Sequence, residues 1–160
     1  MIRGIHHVAI STPDLAGLVA FYKEAFGFET VIDGGWEQGV EWIDSVVGLK
    51  DSSATQAIMK AGNTYIEIFE YHTPTPEPLP EGNPVNNHGY THFCVDVVDI
   101  DAEYERLTKL GMTFHCPPGP PGEMGGTNIR ATYGRDPFGN VIEIQEIMGD
   151  TNDMYLDVKG

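Results

Sequence analysis

A chain of 160 residues with 41% hydrophobic and 21% charged content has the length and make-up of one globular domain with a real core. Its 24 acidic and 9 basic residues leave a net charge of −15, which argues against nucleic acid and anionic membrane as partners. No apolar run approaches the roughly 18–20 residues of a membrane span, no signal-type apolar core opens the chain, and two cysteines, Cys94 and Cys116, cannot staple a secreted scaffold, so a cytoplasmic protein is expected.

In chain order, the first strand is expected over residues 4–11. Thr12 is placed to cap a helix with Pro13 at its first position, Asp14 is the other residue there that can open one, and Gly27 stops it. Strands follow at 28–32, 55–60 and 63–71. Residues 33–54 resist the pattern, although "EQGVEWIDSVVGL" reads as a short amphipathic helix over the site. Prolines 74, 76, 78, 80 and 84 make residues 73–89 a semi-rigid, extended connector. Further strands are expected at 90–97, 113–115, 129–133 and 141–147, with a helix over 100–110 opened by Asp99. "CPPGPPGEMGGTN" at 116–128 reads as a lid or a surface loop, and "DPFGN" at 136–140 is a turn.

The chain repeats itself. "HVAISTPDLAGLVAFYKEAFGF" from His7 aligns with "HFCVDVVDIDAEYERLTKLGM" from His92, and "GNTYIEIFE" at 62–70 aligns with "GNVIEIQE" at 139–146. The organisation is therefore a first module at 1–72, the connector at 73–89, a second module at 90–147 and an acidic tail at 148–160, together one integrated domain. The fold class is α+β, with two βαβββ modules forming a curved mixed sheet, a half-barrel with its helices outside.

Strand side chains alternate between faces, so parity shows which residues share a surface. Glu67 shares a face with Tyr65 and Phe69, leaving Ile66 and Ile68 opposite; Glu143 shares with Val141 and Gln145, leaving Ile142 and Ile144 opposite. His92 shares with Cys94, and His7 with Ala9. Four strands thus bury one apolar face and put one potential ligand on the other. An isolated buried carboxylate is costly, and two histidines with two glutamates around a cavity form an N₂O₂ site whose cation would compensate both acids.

These residues resemble the vicinal oxygen chelate superfamily, which includes glyoxalase I, methylmalonyl-CoA epimerase, extradiol dioxygenases and the bleomycin- and fosfomycin-resistance proteins. The motifs are "HHVAISTPDLAGLVAFYKEAFGF", "GNTYIEIFEY", "GYTHFCVDV" and "DPFGNVIEIQE". The resemblance implies paired βαβββ modules around one divalent metal, Ni, Co, Mn or Zn in the first place and Fe as a further option. It implies His7, Glu67, His92 and Glu143 as ligands. Glutamate at position 67 matches glyoxalase I-type members, where the epimerase has glutamine. Repeat alignment and parity both select His7 over His6, which reads as an exterior or structural histidine.

Around this set, Tyr65, Phe69, Tyr133 and Gln145 are candidate pocket residues. Cys94 faces the same way but reads as a small buried hydrophobe. Arg130 and Arg135 could hold a substrate carboxylate, and Glu37 and Glu41 read as solvated charge; His72, His88 and His115 are expected in solvent. The expected activity is proton abstraction next to a carbonyl, with Glu143 and Glu67 as base and acid in an isomerase, epimerase or glyoxalase-type lyase. The alternatives are an extradiol-type ring-cleaving dioxygenase, against which the fourth ligand speaks, and a metal-free binding or resistance protein. The partners expected are a small-molecule substrate and a second copy of the chain.

Overall fold

Both halves of the chain build a sheet in which a parallel pair begins the order and two antiparallel pairs complete it. The computed structural model describes residues 1–122, 128–149 and 154–156 and divides into two units, Met1–Pro78 and Leu79–Gly160. In the first, β1 (His7–Ser11) leads through α1 (Leu15–Phe26) to β2 (Glu29–Trp36), α2 (Glu41–Val47), β3 (Ser53–Ala61) and β4 (Thr64–Thr73). The sheet order is β1-β4-β3-β2, with β1 parallel to β4. The second unit runs β5 (Phe93–Asp96), α3 (Ile100–Lys109), β6 (Thr113–Phe114), β7 (Ile129–Arg135) and β8 (Val141–Ile147). Its order, β5-β8-β7-β6 with β5 parallel to β8, repeats the first strand for strand. The α+β class with repeated βαβββ modules is what the structure shows.

The helix-facing side of each sheet carries the core. Leu18 and Tyr22 of α1 pack with Met59, Ile66 and Ile68, all of them 2% exposed or less, and Ile100 and Leu107 of α3 are buried with Ile142 and Ile144 in the second unit. Each such side chain contributes about 1.5–3 kcal/mol of burial. Because the buried isoleucines alternate with Glu67 and Glu143, the core itself forces both glutamates onto the opposite face.

Several expected boundaries shift for physical reasons. The first strand begins at His7 rather than residue 4, and the fifth begins at Phe93 rather than 90, so His92 stands just before its strand. The first helix is capped by Asp14, whose carboxylate accepts from Gly17 N at 2.8 Å, and starts at Leu15; Thr12 instead receives Asp14 N at 3.3 Å. Gly27 ends that helix in the left-handed conformation, φ 68°, which a side chain rarely adopts. Residues 33–36 continue β2, and the short helix expected further on is α2, none of whose residues is buried. The connector is not extended throughout, since turns close from Asn83 N to Pro80 O and from Asn87 N to Pro84 O. Part of the "CPPGPPGEMGGTN" loop (123–127) and most of the tail (150–153 and 157–160) lie outside the described residues.

A second pair of glutamates, three residues beyond the first, holds the helices in place. Glu70 Oε2 accepts from Leu15 N at 2.9 Å, and Glu146 accepts from Asp99 N at 2.8 Å and Ile100 N at 3.4 Å. A carboxylate on the free N–H groups of a helix start is favourable both as a hydrogen-bond acceptor and against the helix dipole. So "EIFE" and "EIQE" each supply one glutamate to each face of the sheet.

β2 runs close along β3 at Gly35, where an added Cβ would collide with the carbonyl oxygen of Ala54. Gly35→Ala should therefore lower unfolding stability by about 1–3 kcal/mol, read from urea titration, whereas Gly34→Ala, which meets nothing, should stay near wild type.

Candidate metal centre

The ligand-bearing face of the first unit is assembled by register. β1 lies beside β4 with His7 opposite Tyr65 and Ala9 opposite Glu67, and β3 places Ile58 opposite Glu67, Gln56 opposite Phe69 and Lys60 opposite Tyr65. Across β1 and β4, His7 Nε2 comes to 3.3 Å from Glu67 Oε2. The second unit repeats the arrangement. Cys94 and Tyr133 flank Glu143 on β5 and β7, and His92 Nε2 lies 3.1 Å from Glu143 Oε2.

In both units the histidine uses Nε2 toward the carboxylate and Nδ1 toward the preceding residue. His92 Nδ1 is 2.8 Å from Thr91 Oγ1, and His7 Nδ1 is 3.0 Å from His6 Nδ1. The glutamates are well covered, with side-chain exposures of 16% and 13%, while His7 is more open than His92, at 41% against 23%.

The donor chemistry fits a divalent cation. Ligand atoms about 2.0–2.2 Å from a common ion lie roughly 2.8–3.1 Å from one another at an octahedral angle and roughly 3.3–3.6 Å at a tetrahedral one. The two His–Glu separations fall in those ranges, and imidazole nitrogen with carboxylate oxygen suits Mn, Co, Ni, Zn and Fe alike. Each unit supplies two such ligands; among the described residues, no group of three or more His, Cys, Asp and Glu side chains is close enough to hold an ion.

The other candidates divide. Tyr65, Phe69 and Gln145 are half-buried on the glutamate face, as parity requires. Tyr133 packs its ring 4.6 Å from that of His92, and its hydroxyl is pushed up from the usual tyrosine range by burial and by the charge of Glu143. Tyr71 is raised in the same way, by burial and then by Glu67. His6 is exposed and stacks on Tyr65, with ring centroids 4.8 Å apart. His72, His88 and His115 are exposed, as are Glu37 and Glu41.

Two expectations are corrected. Cys94 is exposed rather than buried, because its short strand ends near it and little of the sheet covers it. Its thiol is nonetheless pushed well up by local desolvation, by the charge of Glu143 and by a hydrogen bond to that carboxylate. Arg130 does not share the surface of Glu143. It pairs in register with Glu146, on the helix side, and donates to both Asp101 oxygens at 2.7 and 2.8 Å and to Gly119 O at 2.8 Å. Arg135 is likewise engaged, by Gly139 O and Asn83 O.

Sequence reasoning missed three residues on the ligand face of β3, namely Gln56, Ile58 and Lys60, and the Trp36 ring on β2. Trp36 lies 5.9 Å from Phe69 and 5.8 Å from Tyr71, its Nε1 donating to Ser52 Oγ at 2.9 Å. Ser52 in turn donates to Asp44 of α2 at 2.5 Å, which fixes the indole from behind. The parity rule applied to β4 would have found the β3 residues had it been carried one strand further; the indole's partner in α2 had no such signal.

With this geometry stands a family match. The model of the Glyoxalase/Bleomycin resistance protein/Dioxygenase superfamily covers residues 4–144, and the chain belongs to that superfamily. It is similar to a 2-epi-5-epi-valiolone epimerase of an Actinomyces species, 32% identical over 107 residues, which are 64% of this chain and 56% of that one. It is also similar to the ethylmalonyl-CoA/methylmalonyl-CoA epimerase of Cereibacter sphaeroides, 25% identical over 154 residues, 92% of this chain and 100% of that one. The match to the Actinomyces protein thus spans little more than half of that protein's length. Among solved structures, a glyoxalase-family protein from Bacillus cereus superposes with a TM-score of 0.79 at 26% identity, covering 93% of this chain and 97% of that one. A variant of the fosfomycin resistance protein FosX from Listeria monocytogenes, in complex with Mn(II) and 1S,2S-dihydroxypropylphosphonic acid, shares the fold at a TM-score of 0.59 and 20% identity, over 92% and 95% of the two chains.

The raised thiol gives a direct check. A thiol pushed up is less ionised at mildly alkaline pH, so Cys94 should react with iodoacetamide at pH 8 more slowly in the folded protein than in urea. Glu143→Gln removes one cause and should speed the folded-state reaction, as peptide mass spectrometry would show.

Proposed function

We propose that the His7–Glu67 pair of the first unit and the His92–Glu143 pair of the second are each divalent-cation ligands, and that the chain is an isomerase of the epimerase type acting on a small oxygenated carbonyl compound. The observation that carries this is the contact made twice: in each repeat an imidazole Nε2 and a half-buried carboxylate stand at ligand-to-ligand distance. The epimerase activity of the two relatives favours isomerase over lyase within the range the sequence left open.

The carboxylates need a cation for a physical reason. Each sits in a central strand with its side chain only 16% or 13% exposed, and an imidazole nitrogen alone does not complete the compensation of a covered carboxylate. A bound divalent ion supplies that compensation and Lewis-acid stabilisation of the negative charge that develops on substrate oxygens as a proton leaves the adjacent carbon.

The remaining steps belong to the chain. One glutamate, Glu143 in this reading, takes the proton from the carbon next to the carbonyl at its free oxygen. Glu67 is the second carboxylate, able to return the proton that an epimerisation needs. Tyr133 and Tyr71, each held protonated beside one of these glutamates, donate hydrogen bonds rather than charge. Trp36, Phe69 and Tyr71 form an apolar wall that excludes water from the Glu67 side.

Protein purified without chelator, or reconstituted with Mn, Co, Ni or Zn, should carry about one ion per chain by elemental analysis. Glu67→Gln and Glu143→Gln should each weaken binding by more than about tenfold. Reconstituted wild-type protein with no bound ion would overturn the reading. Iron as the resident ion, kept in Glu67→Gln, would point to oxygen chemistry with three ligands instead.

A further inference from the structure

The first unit holds a cavity of about 370 Å³ between α1 and the outer strands of its sheet, a volume typical of sites for small molecules. Ala16 and Val19 of α1, Thr30 and Asp33 of β2, Thr55 of β3 and Glu70 of β4 are in its wall. Thr55 stands beside Glu70 in register, and Glu70 ties down the start of α1, so the cavity lies on the helix side of the sheet. The face that carries His7 and Glu67 is the other one.

The second unit shows what the same fold puts in this place. Thr55 stands opposite Glu70 as Arg130 stands opposite Glu146. Counted from the helix caps Asp14 and Asp99, Ala16 corresponds to Asp101 and Val19 to Tyr104. Thr30 opposite Met59 corresponds to Phe114 opposite Gly134. In the second unit these four positions are filled and joined. Arg130 donates to both Asp101 oxygens at 2.7 and 2.8 Å, and the rings of Tyr104 and Phe114 lie 4.9 Å apart. The first unit has threonine for the guanidinium, alanine for its carboxylate partner, and valine and threonine for the two rings.

The acids remain where the cation is missing. Glu70 gives Oε2 to Leu15 N at 2.9 Å, and among the described residues neither Glu70 nor Asp33 has a cationic partner. At the other end, Thr30 Oγ1 is buried with no hydrogen-bond partner among the described residues, at the position where the repeat has an apolar ring. We propose that this cavity binds a small aromatic amine or guanidine, with its charged head at Glu70 and Asp33 and its ring between Val19 and Thr30. The ligand then supplies what Arg130, Tyr104 and Phe114 supply in the repeat. Lys23, also in the wall, is seven residues or about 10 Å along α1 from Ala16, well away from the head group. An anion of the same shape meets two carboxylates, and a neutral analogue leaves both unpaired. The site is independent of the His–Glu pairs and of the reaction proposed for them.

The test titrates the full chain with 2-phenylethylamine, neutral 2-phenylethanol and anionic 3-phenylpropionate, by calorimetry and by amide proton–nitrogen-15 NMR. Ala16→Asp combined with Thr55→Arg restores the repeat's ion pair at unchanged net charge, so general attraction of a cation to an acidic protein is unaltered. Val19→Tyr combined with Thr30→Phe fills the ring end, and Asp33→Asn removes one acid without adding volume. The amine should bind with a Kd of roughly 1 mM or tighter and shift amides of α1, β2 and β3. The alcohol and the acid should bind at least about tenfold more weakly, and each variant should lose about tenfold for the amine. The inference is overturned by no saturable binding of the amine, by the alcohol or the acid binding as well, or by amide shifts spread over the whole surface. Folded double variants that bind like wild type also overturn it; should either double variant not fold, the other one and Asp33→Asn decide.

Discussion

The structure turns on a carboxylate that the core will not accept. In β4 and in β8, isoleucines on either side of a glutamate are drawn beneath a helix, and the two-residue period of a strand then obliges the glutamate to stand on the opposite face. Once there it needs a compensating partner, and the parallel neighbour strand brings one. Both halves solve this with a histidine one strand away and Nε2 turned inward. The glutamate three residues later faces the helix side and ties down its N-terminus, so the strand that bears the ligand also fixes the helix above it.

Much of this could be read from the sequence because strand alternation and repetition are local signals. Ile66, Ile68, Ile142 and Ile144 announce the buried face, and the repeat tells His7 from His6. The eighth strand, 141–147, needed no revision for the same reason. What could not be read depends on partners distant in the chain. The capping role of Asp14 over Thr12 is decided by which oxygen reaches Gly17 N. The position of Arg130 is decided by Asp101, 29 residues earlier, whose carboxylate it takes in a two-pronged pair on the helix side of the sheet. Nothing in the phrase around Arg130 signals that claim. For Cys94, the error lay in treating a strand residue as a covered one when its strand is only four residues long.

The two halves agree where the ligands are and disagree around them. By register, Ile58 stands to Glu67 as Tyr133 stands to Glu143, Gln56 corresponds to Ala131, and Lys60 corresponds to Arg135. One half has an aliphatic side chain and the other a phenol against the acid, and one half has a cation in solvent where the other spends its cation on the backbone of the 136–140 turn.

The same comparison bears on the substrate. Both arginines of the second unit's last antiparallel pair are consumed by internal acceptors, so the clamp expected for a strongly anionic group is not assembled from them. On the first unit's ligand face the basic side chain is Lys60, a single flexible ammonium, opposite Tyr65 and away from the Trp36–Phe69–Tyr71 wall. The three contiguous rings give the first unit's ligand face an apolar surface, with the lysine at its far end. What the first half has and the second does not, among the described residues, is α2 and the tie from Asp44 through Ser52 that fixes Trp36 from behind.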